Sequence, residues 1–263
     1  MGVEVDFRRW LANFEAEALR RAGEQDPAWE MGARLDPVLI ETLRRFQFSE
    51  DTDNRLLIAK TVAAGDPEYA AAIVLFAAEE ANHGRLLDHL LAAAGSGRIT
   101  GHWADATFRR LRPAFGLRLE MMLILASEIV VLPFYAAIAD GVDDPLTAEV
   151  AARILADEQR HVPFHCDWLR GCLAASPPAF RAAAVVGWWF LAAGATAMVV
   201  SDHGRTLTHL RTTRGRYARD VFAHSRAAMA QVRAADPGTA ALAGHPRRRL
   251  PTRPPVDRRP PGV

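Results

Sequence analysis

Two stretches of this chain set a carboxylate and an imidazole three residues apart. Glu80 and His83 lie in FAAEEANHGRLL, and Glu158 and His161 lie in LADEQRHVPFH. On a helix, positions three apart share a face, so each pair can present an oxygen and a nitrogen to one point. That chemistry suits a metal ion. A single match is weak, because 14 glutamates and 9 histidines in 263 positions give roughly half such a pair by chance. The case for a site therefore depends on what the rest of the chain supplies.

It supplies two lone glutamates at matching distance. Glu50 precedes Glu80 by 30 residues, and Glu128 precedes Glu158 by the same interval. Asp36-Pro37, Asp66-Pro67 and Asp144-Pro145 each read as an N-cap aspartate followed by proline in the first helical turn. Glu50, Glu80 and Glu158 all fall 14 positions after their capping aspartate, about 21 Å along a helix axis. In antiparallel hairpins, Glu50 then meets Glu80, and Glu128 meets Glu158. Glu128 is the sole charge between Glu120 and Asp140. Four inward carboxylates repel one another unless cations lie between them. Oxygen-rich ligation with one imidazole per metal suits iron or manganese better than a thiolate-seeking metal.

Long apolar-periodic segments separated by proline and glycine position these residues, and nothing reads as a strand. The expected fold is all-α, a ferritin-like four-helix bundle with extra N- and C-terminal helices. The pattern predicts helices over Val5–Arg21, Pro37–Ala64, Pro67–Ala94, Phe115–Ala139, Pro145–Ala174, Ala179–Val200 and Arg214–Ala235. A long connection over Gly95–Pro113 holds a short helix near Trp103–Arg110. Residues 1–235 form the helical domain, with the metal-binding core at 36–174. Residues 236–263, which include six arginines and seven prolines, read as a disordered tail.

Composition narrows the setting. Half the residues are hydrophobic and the net charge is +1, so no nucleic acid is expected as partner. Cys166 and Cys172 are six apart, no CxxC exists, and the first residues lack a signal-peptide core; a cytoplasmic protein is the expectation. Residues 182–200 run uncharged, near the lower length for a membrane span. Their alanine and glycine content favours a buried helix of a soluble bundle over membrane contact, with Trp188 and Trp189 arguing the other way.

Further residues flank the pairs. Glu79 and Asp157 each precede an E-x-x-H glutamate and suit the outer N–H of a metal-bound imidazole; the alternative is a solvent-facing charge. His165, four after His161, reads as a pocket wall or proton relay before a ligand. Pro133 and Pro163 each lie five after a glutamate and are followed by Phe, so the kinks they impose can widen one side of the site; the alternative is a packing adjustment between tilted helices. Tyr135 is the one tyrosine near enough for a radical role, against a plain packing role. Phe76, Leu125, Ile154 and Phe164 read as an apolar wall that keeps water out.

At these residues, over roughly Asp36 to Ala174, the chain resembles the ferritin-like diiron carboxylate superfamily. EEANHGRLL and DEQRHVPFH are locally similar to ligand helices of acyl-carrier-protein desaturases. The resemblance implies Glu50, Glu80, His83, Glu128, Glu158 and His161 as metal ligands, with two Fe ions or a Mn/Fe pair as cofactor. It also implies a non-haem diiron oxidase or oxygenase that activates O2 on a small organic substrate, apolar or acyl-type, using an external electron donor. Ile154 stands where diiron arylamine N-oxygenases carry an extra histidine, which counts against that group. Two alternatives stay open: a rubrerythrin-like peroxidase or ferroxidase without organic substrate, and a non-catalytic metal-stabilised interaction module. A homodimer is compatible with either.

Overall fold

The computed structural model describes residues 5–51, 53–99 and 114–234, and every regular element among them is helical. Helices α1 (Phe7–Ala22), α2 (Pro37–Glu50), α3 (Arg55–Ala63), α4 (Pro67–Ala93), α5 (Leu117–Gly141), α6 (Pro145–Ala174), α7 (Pro178–His209) and α8 (Arg214–Arg233) follow in order. A short 3-10 turn at Trp29–Met31 separates the first two. The expected short helix near Trp103–Arg110 and the tail 236–263 lie outside the described residues.

The three Asp-Pro starts act as the sequence implies. Asp36, Asp66 and Asp144 accept hydrogen bonds from the amides of Val38, Tyr69 and Thr147, each at 2.8 Å. Each satisfies a donor that the first helical turn leaves open. At the other end of α4 the chain turns at Gly95, whose φ of +68° is left-handed. The Ser96 amide there reaches back to the Leu91 carbonyl at 2.8 Å, a Schellman closure.

One expected helix is two. Pro37–Ala64 breaks after Glu50 and resumes at Arg55, because the run Asp51 to Asn54 offers side chains that compete for backbone hydrogen bonds. Asp53 accepts from the Arg55 amide at 3.0 Å and starts α3. By contrast, α5 and α6 continue through Pro133 and Pro163. The interruption nearest the glutamates is thus the one after Glu50.

Helix α2 packs along α4, α5 along α6, and α4 meets α6 between them. Helix α1 lies on α4, while α7 and α8 cover α5 and α8 also reaches α6. One buried apolar cluster extends through all of them, from Phe7 in α1 to Val232 in α8. Helices α5 and α7 are both long and apolar enough to cross a membrane by length and composition. Their surroundings differ: 56% of the most apolar window of α5 is buried, against 22% for α7. The helix expected to be buried at residues 182–200 is therefore one-sided. Trp188 faces the core while Phe190 stands 75% exposed, since nothing among the described residues covers its outer face. Both cysteines are free thiols.

Candidate metal centre

The four elements α2, α4, α5 and α6 bring all six predicted ligand residues together. Glu80, Glu128, Glu158 and His161 form one group and Glu50, Glu80 and His83 another, with ligand atoms in each group within 4.8 Å of one another. Glu80 belongs to both. Its Oε1 lies 3.5 Å from His83 Nδ1 and 3.3 Å from His161 Nδ1. Glu158 spans the same gap, with Oε1 3.3 Å from His83 Nδ1 and Oε2 3.6 Å from His161 Nδ1. Glu128 Oε2 is 3.3 Å from His161 Nδ1. Two carboxylates are therefore shared, and Glu50 and Glu128 each serve one side.

What fixes the imidazoles is a crossed pair of acids. His83 Nε2 lies 3.1 Å from Asp157 Oδ2, and His161 Nε2 lies 2.8 Å from Glu79 Oε2. Each acid precedes the glutamate of the opposite E-x-x-H, on the neighbouring helix. A carboxylate accepts, so each Nε2 donates, and each Nδ1 faces the shared glutamates, where it carries a proton in the charged ring and offers a lone pair to a cation in the neutral one. Glu79 and Asp157 are both buried, so neither is the solvent-facing charge that the sequence left open as the alternative.

Two arginines that sequence reasoning missed hold those acids. Arg21, at the end of α1, donates to Glu79 Oε1 at 3.1 Å and to Asp157 Oδ1 at 3.0 Å. Arg160 donates to Asp157 Oδ1 at 2.9 Å and to Glu79 Oε2, and Glu17 of α1 lies 3.5 Å from Arg160. Arg160 was legible as an i+3 partner of Asp157. Nothing in the sequence marks Arg21, which comes from a helix far from the motifs.

Electrostatics follow from this layering. Burial works to raise Asp157, but its bond to His83 and the charges of His83 and Arg160 hold it well below the usual carboxylate range. Glu79 is likewise lowered against burial by His161 and Arg160. Inside, burial and then the charge of Glu158 push Glu80 up to about 7. Glu50 rises through burial and Glu80, and Glu128 through burial and Glu158. Glu158 alone goes down, because contacts with Glu128, His161 and His83 outweigh its burial. Burial disfavours charge on His83 and His161, yet their carboxylate partners lift both well above the ordinary value.

The donor set fits a cation. Glu80 Oε1, His83 Nδ1 and Glu158 Oε2 are buried and make no well-formed hydrogen bond, although buried polar atoms ordinarily find one. All three point at the shared centre. Glu80 keeps 16% of its side-chain surface in solvent, whereas Glu128 keeps 4% and Glu158 2%. Glu50 is half-buried. The cluster thus opens on the side where α2 stops.

An apolar and aromatic jacket closes the other side. Phe76, Leu125, Ile154 and Phe164 are all buried. The Phe76 ring stands edge-on to His161 at 4.7 Å and to His165 at 4.8 Å, and Phe14 of α1 stacks on His161 at 6.2 Å. Both nitrogens of His165 lack a hydrogen-bond partner, and burial followed by the charge of His161 holds its pKa well down. His165 is thus a neutral part of the wall and belongs to neither ligand group. Tyr135 is buried, and its hydroxyl donates to Glu50 Oε1 at 3.4 Å.

No family model matches the chain, and no curated protein or solved structure is significantly similar to it.

Proposed function

We propose that the chain is a dinuclear iron enzyme of the ferritin-like type, an O2-activating oxidase or oxygenase acting on a small apolar or acyl-type substrate. In this reading α2, α4, α5 and α6 form the four-helix bundle, and α1, α7 and α8 are additions. One observation carries it: two imidazoles with outer nitrogens bound to buried acids and inner nitrogens aimed at four glutamates, two of which reach both rings.

Glu80 and Glu158 would hold both ions, Glu50 and His83 one, Glu128 and His161 the other. Bound iron supplies reductive O2 chemistry; Mn in one position would be compatible with the same donors. The chain's own residues do the remainder. Asp157 and Glu79 keep the proton on each histidine's Nε2, so that Nδ1 stays available. The Tyr135 hydroxyl holds one oxygen of Glu50 and limits its swing. Phe14, Phe76 and Phe164 exclude water from the closed side, while Glu50 and Glu80 leave the other side accessible. Electrons must come from an external donor, since the sequence carries no flavin or iron–sulfur motif.

A second reading, a ferroxidase or rubrerythrin-like peroxidase, gains from the same opening, because partly exposed carboxylates suit entry of Fe(II) or peroxide without a substrate pocket. Anaerobic loading with Fe(II), metal counting, and rapid mixing with O2 separate the two. Two irons per chain, with O2 uptake accelerated by added organic substrates, supports the oxygenase. Fast Fe(II) oxidation or H2O2 consumption that no organic compound alters supports the second reading. Failure to take up iron defeats both and leaves a structural role for the six residues.

A further inference from the structure

Among the described residues, α7 presents an apolar outer face that the candidate metal centre does not use. No charged residue occurs from Ala182 to Ser201. Val186, Phe190 and Met198 stand 57%, 75% and 47% exposed on one stripe of four-residue steps, with Gly194 completing it. A Cβ built on Gly194 meets nothing within 4 Å. With Phe180 near one end, these side chains show on the order of 400 Å² of apolar surface, in the range of the largest patch on a typical soluble monomer, which is often functional.

Basic residues frame this stripe. Arg205 continues it one turn beyond Met198's neighbour Ser201 and is exposed. Arg118 lies over the Phe180 ring at 5.3 Å. On the adjoining α8, Phe222 stacks with Trp189 at 6.3 Å across the α7–α8 seam. Arg219 and Arg226, one turn to either side of Phe222, are both exposed. Residues 214–234 carry five arginines against one aspartate, a net +4 in a chain whose total is +1.

The geometry points to an anionic membrane surface as the occupant of this face. Helix α7 would lie in the plane of the interface, with Phe190, Val186 and Met198 entering the acyl boundary and the arginines of α8 at the headgroups. An apolar stripe beside a basic rim is what in-plane binding to anionic lipid requires. A second copy fits less well, because a two-fold pairing would set the same arginine rims against each other. The proposal does not depend on the metal reading.

The test is co-sedimentation of the full chain with phosphatidylcholine vesicles containing one third phosphatidylglycerol, against pure phosphatidylcholine, with sedimentation velocity of the free protein alongside. Binding to the anionic vesicles alone is expected, weakening as salt is raised. Phe190→Asp lies on an exposed position and should reduce it at least about tenfold; Arg219→Glu with Arg226→Glu should cost about as much. Equal binding to both vesicle types overturns the proposal, as does anionic binding that Phe190→Asp leaves unchanged. A dimer that Phe190→Asp dissolves, with no vesicle binding, also overturns it and assigns the face to a second copy.

Discussion

Replacing Glu80 by glutamine separates what this residue costs the fold from what it gives the site. Glu80 is pushed from an ordinary value of 4.5 up to about 7, so the folded chain holds its proton more tightly than the unfolded chain does. The stability tied to a raised carboxyl is fully present below the ordinary value and is lost as pH rises through the folded value. Glutamine keeps the shape of the protonated acid and cannot ionise. Metal-free E80Q should therefore be more stable than wild type, by about 1 kcal/mol near pH 5 and about 3 kcal/mol near pH 8.5, at about 1.36 kcal/mol per pKa unit. The larger figure is a ceiling, since 16% of the Glu80 side chain meets solvent. Urea unfolding of chelator-treated proteins across this range gives the difference directly. Fe(II) under anaerobic conditions should then reverse the order: wild type gains about 4.1 kcal/mol at a thousandfold excess over its dissociation constant, and E80Q gains far less. A pH-independent difference would refute the account of Glu80 as a charge held under repulsion. Equal stabilisation of both proteins by Fe(II) would refute its role as a shared ligand.

The two sides of the cluster should come apart under mutation. Glu50→Ala and Glu128→Ala should each leave about one metal per chain, whereas Glu80→Ala should leave none, as counted by plasma emission after desalting; two metals retained in Glu128→Ala would sink the ligand assignment. Asp157→Asn and Glu79→Gln should each weaken Fe(II) binding by about 10- to 100-fold in anaerobic titrations. Because Asp157 and Glu79 are lowered, the stability they contribute is present above the ordinary carboxylate range and lost as pH falls below it, so the acid limb of the metal-free unfolding curve should shrink in Asp157→Asn. His165→Phe should keep both metals; loss of one would make it a ligand. Arg21→Met should destabilise the metal-free protein by about 1–3 kcal/mol in urea unfolding, since Glu79 and Asp157 stay buried and lose one of the two guanidinium groups that pair them.

How much was legible depended on how local the cause was. The three Asp-Pro caps act within a single turn, so equal offsets in sequence became equal heights in space and set Glu50, Glu80 and Glu158 together. Glu79 and Asp157 were legible for a related reason: a metal-bound imidazole needs an acceptor, and few acids were near. The break after Glu50 was missed because Leu43, Phe46, Glu50, Asn54 and Leu57 keep a helical stripe across it. The apolar pattern describes what the core wants on either side, and here the polar run Asp51 to Asn54 overrode it. Arg21 had no local cause. It reaches the acids because Phe7, Trp10 and Phe14 bury α1 against the aromatic cluster around Phe164, a tertiary fact with no sequence motif. Helix α7 failed in the opposite direction: low charge over twenty residues says only that water is avoided and leaves open whether protein or something else does the covering.

The charges of the cluster argue for two ions of a particular valence. Outside, Glu17, Glu79 and Asp157 face Arg21 and Arg160, a nearly balanced layer that needs little from the interior. Inside, Glu50, Glu80, Glu128 and Glu158 surround two imidazoles whose outer protons are already committed. With both rings neutral, four negative charges remain in a site sealed on one side by phenylalanines. Protons can neutralise them in part, on the glutamates and on the imidazoles alike, and the raised values of Glu50, Glu80, Glu128, His83 and His161 describe that state. It leaves Glu80 Oε1, His83 Nδ1 and Glu158 Oε2 without good partners. Two divalent cations bring the total to zero and satisfy all three atoms, displacing the carboxyl protons as they bind. One ion would leave two carboxylates uncompensated, and trivalent ions need added oxide or hydroxide to balance. Two divalent ions would therefore balance this donor set without added anions, and the protons released on Fe(II) binding should be measurable in weakly buffered solution at neutral pH.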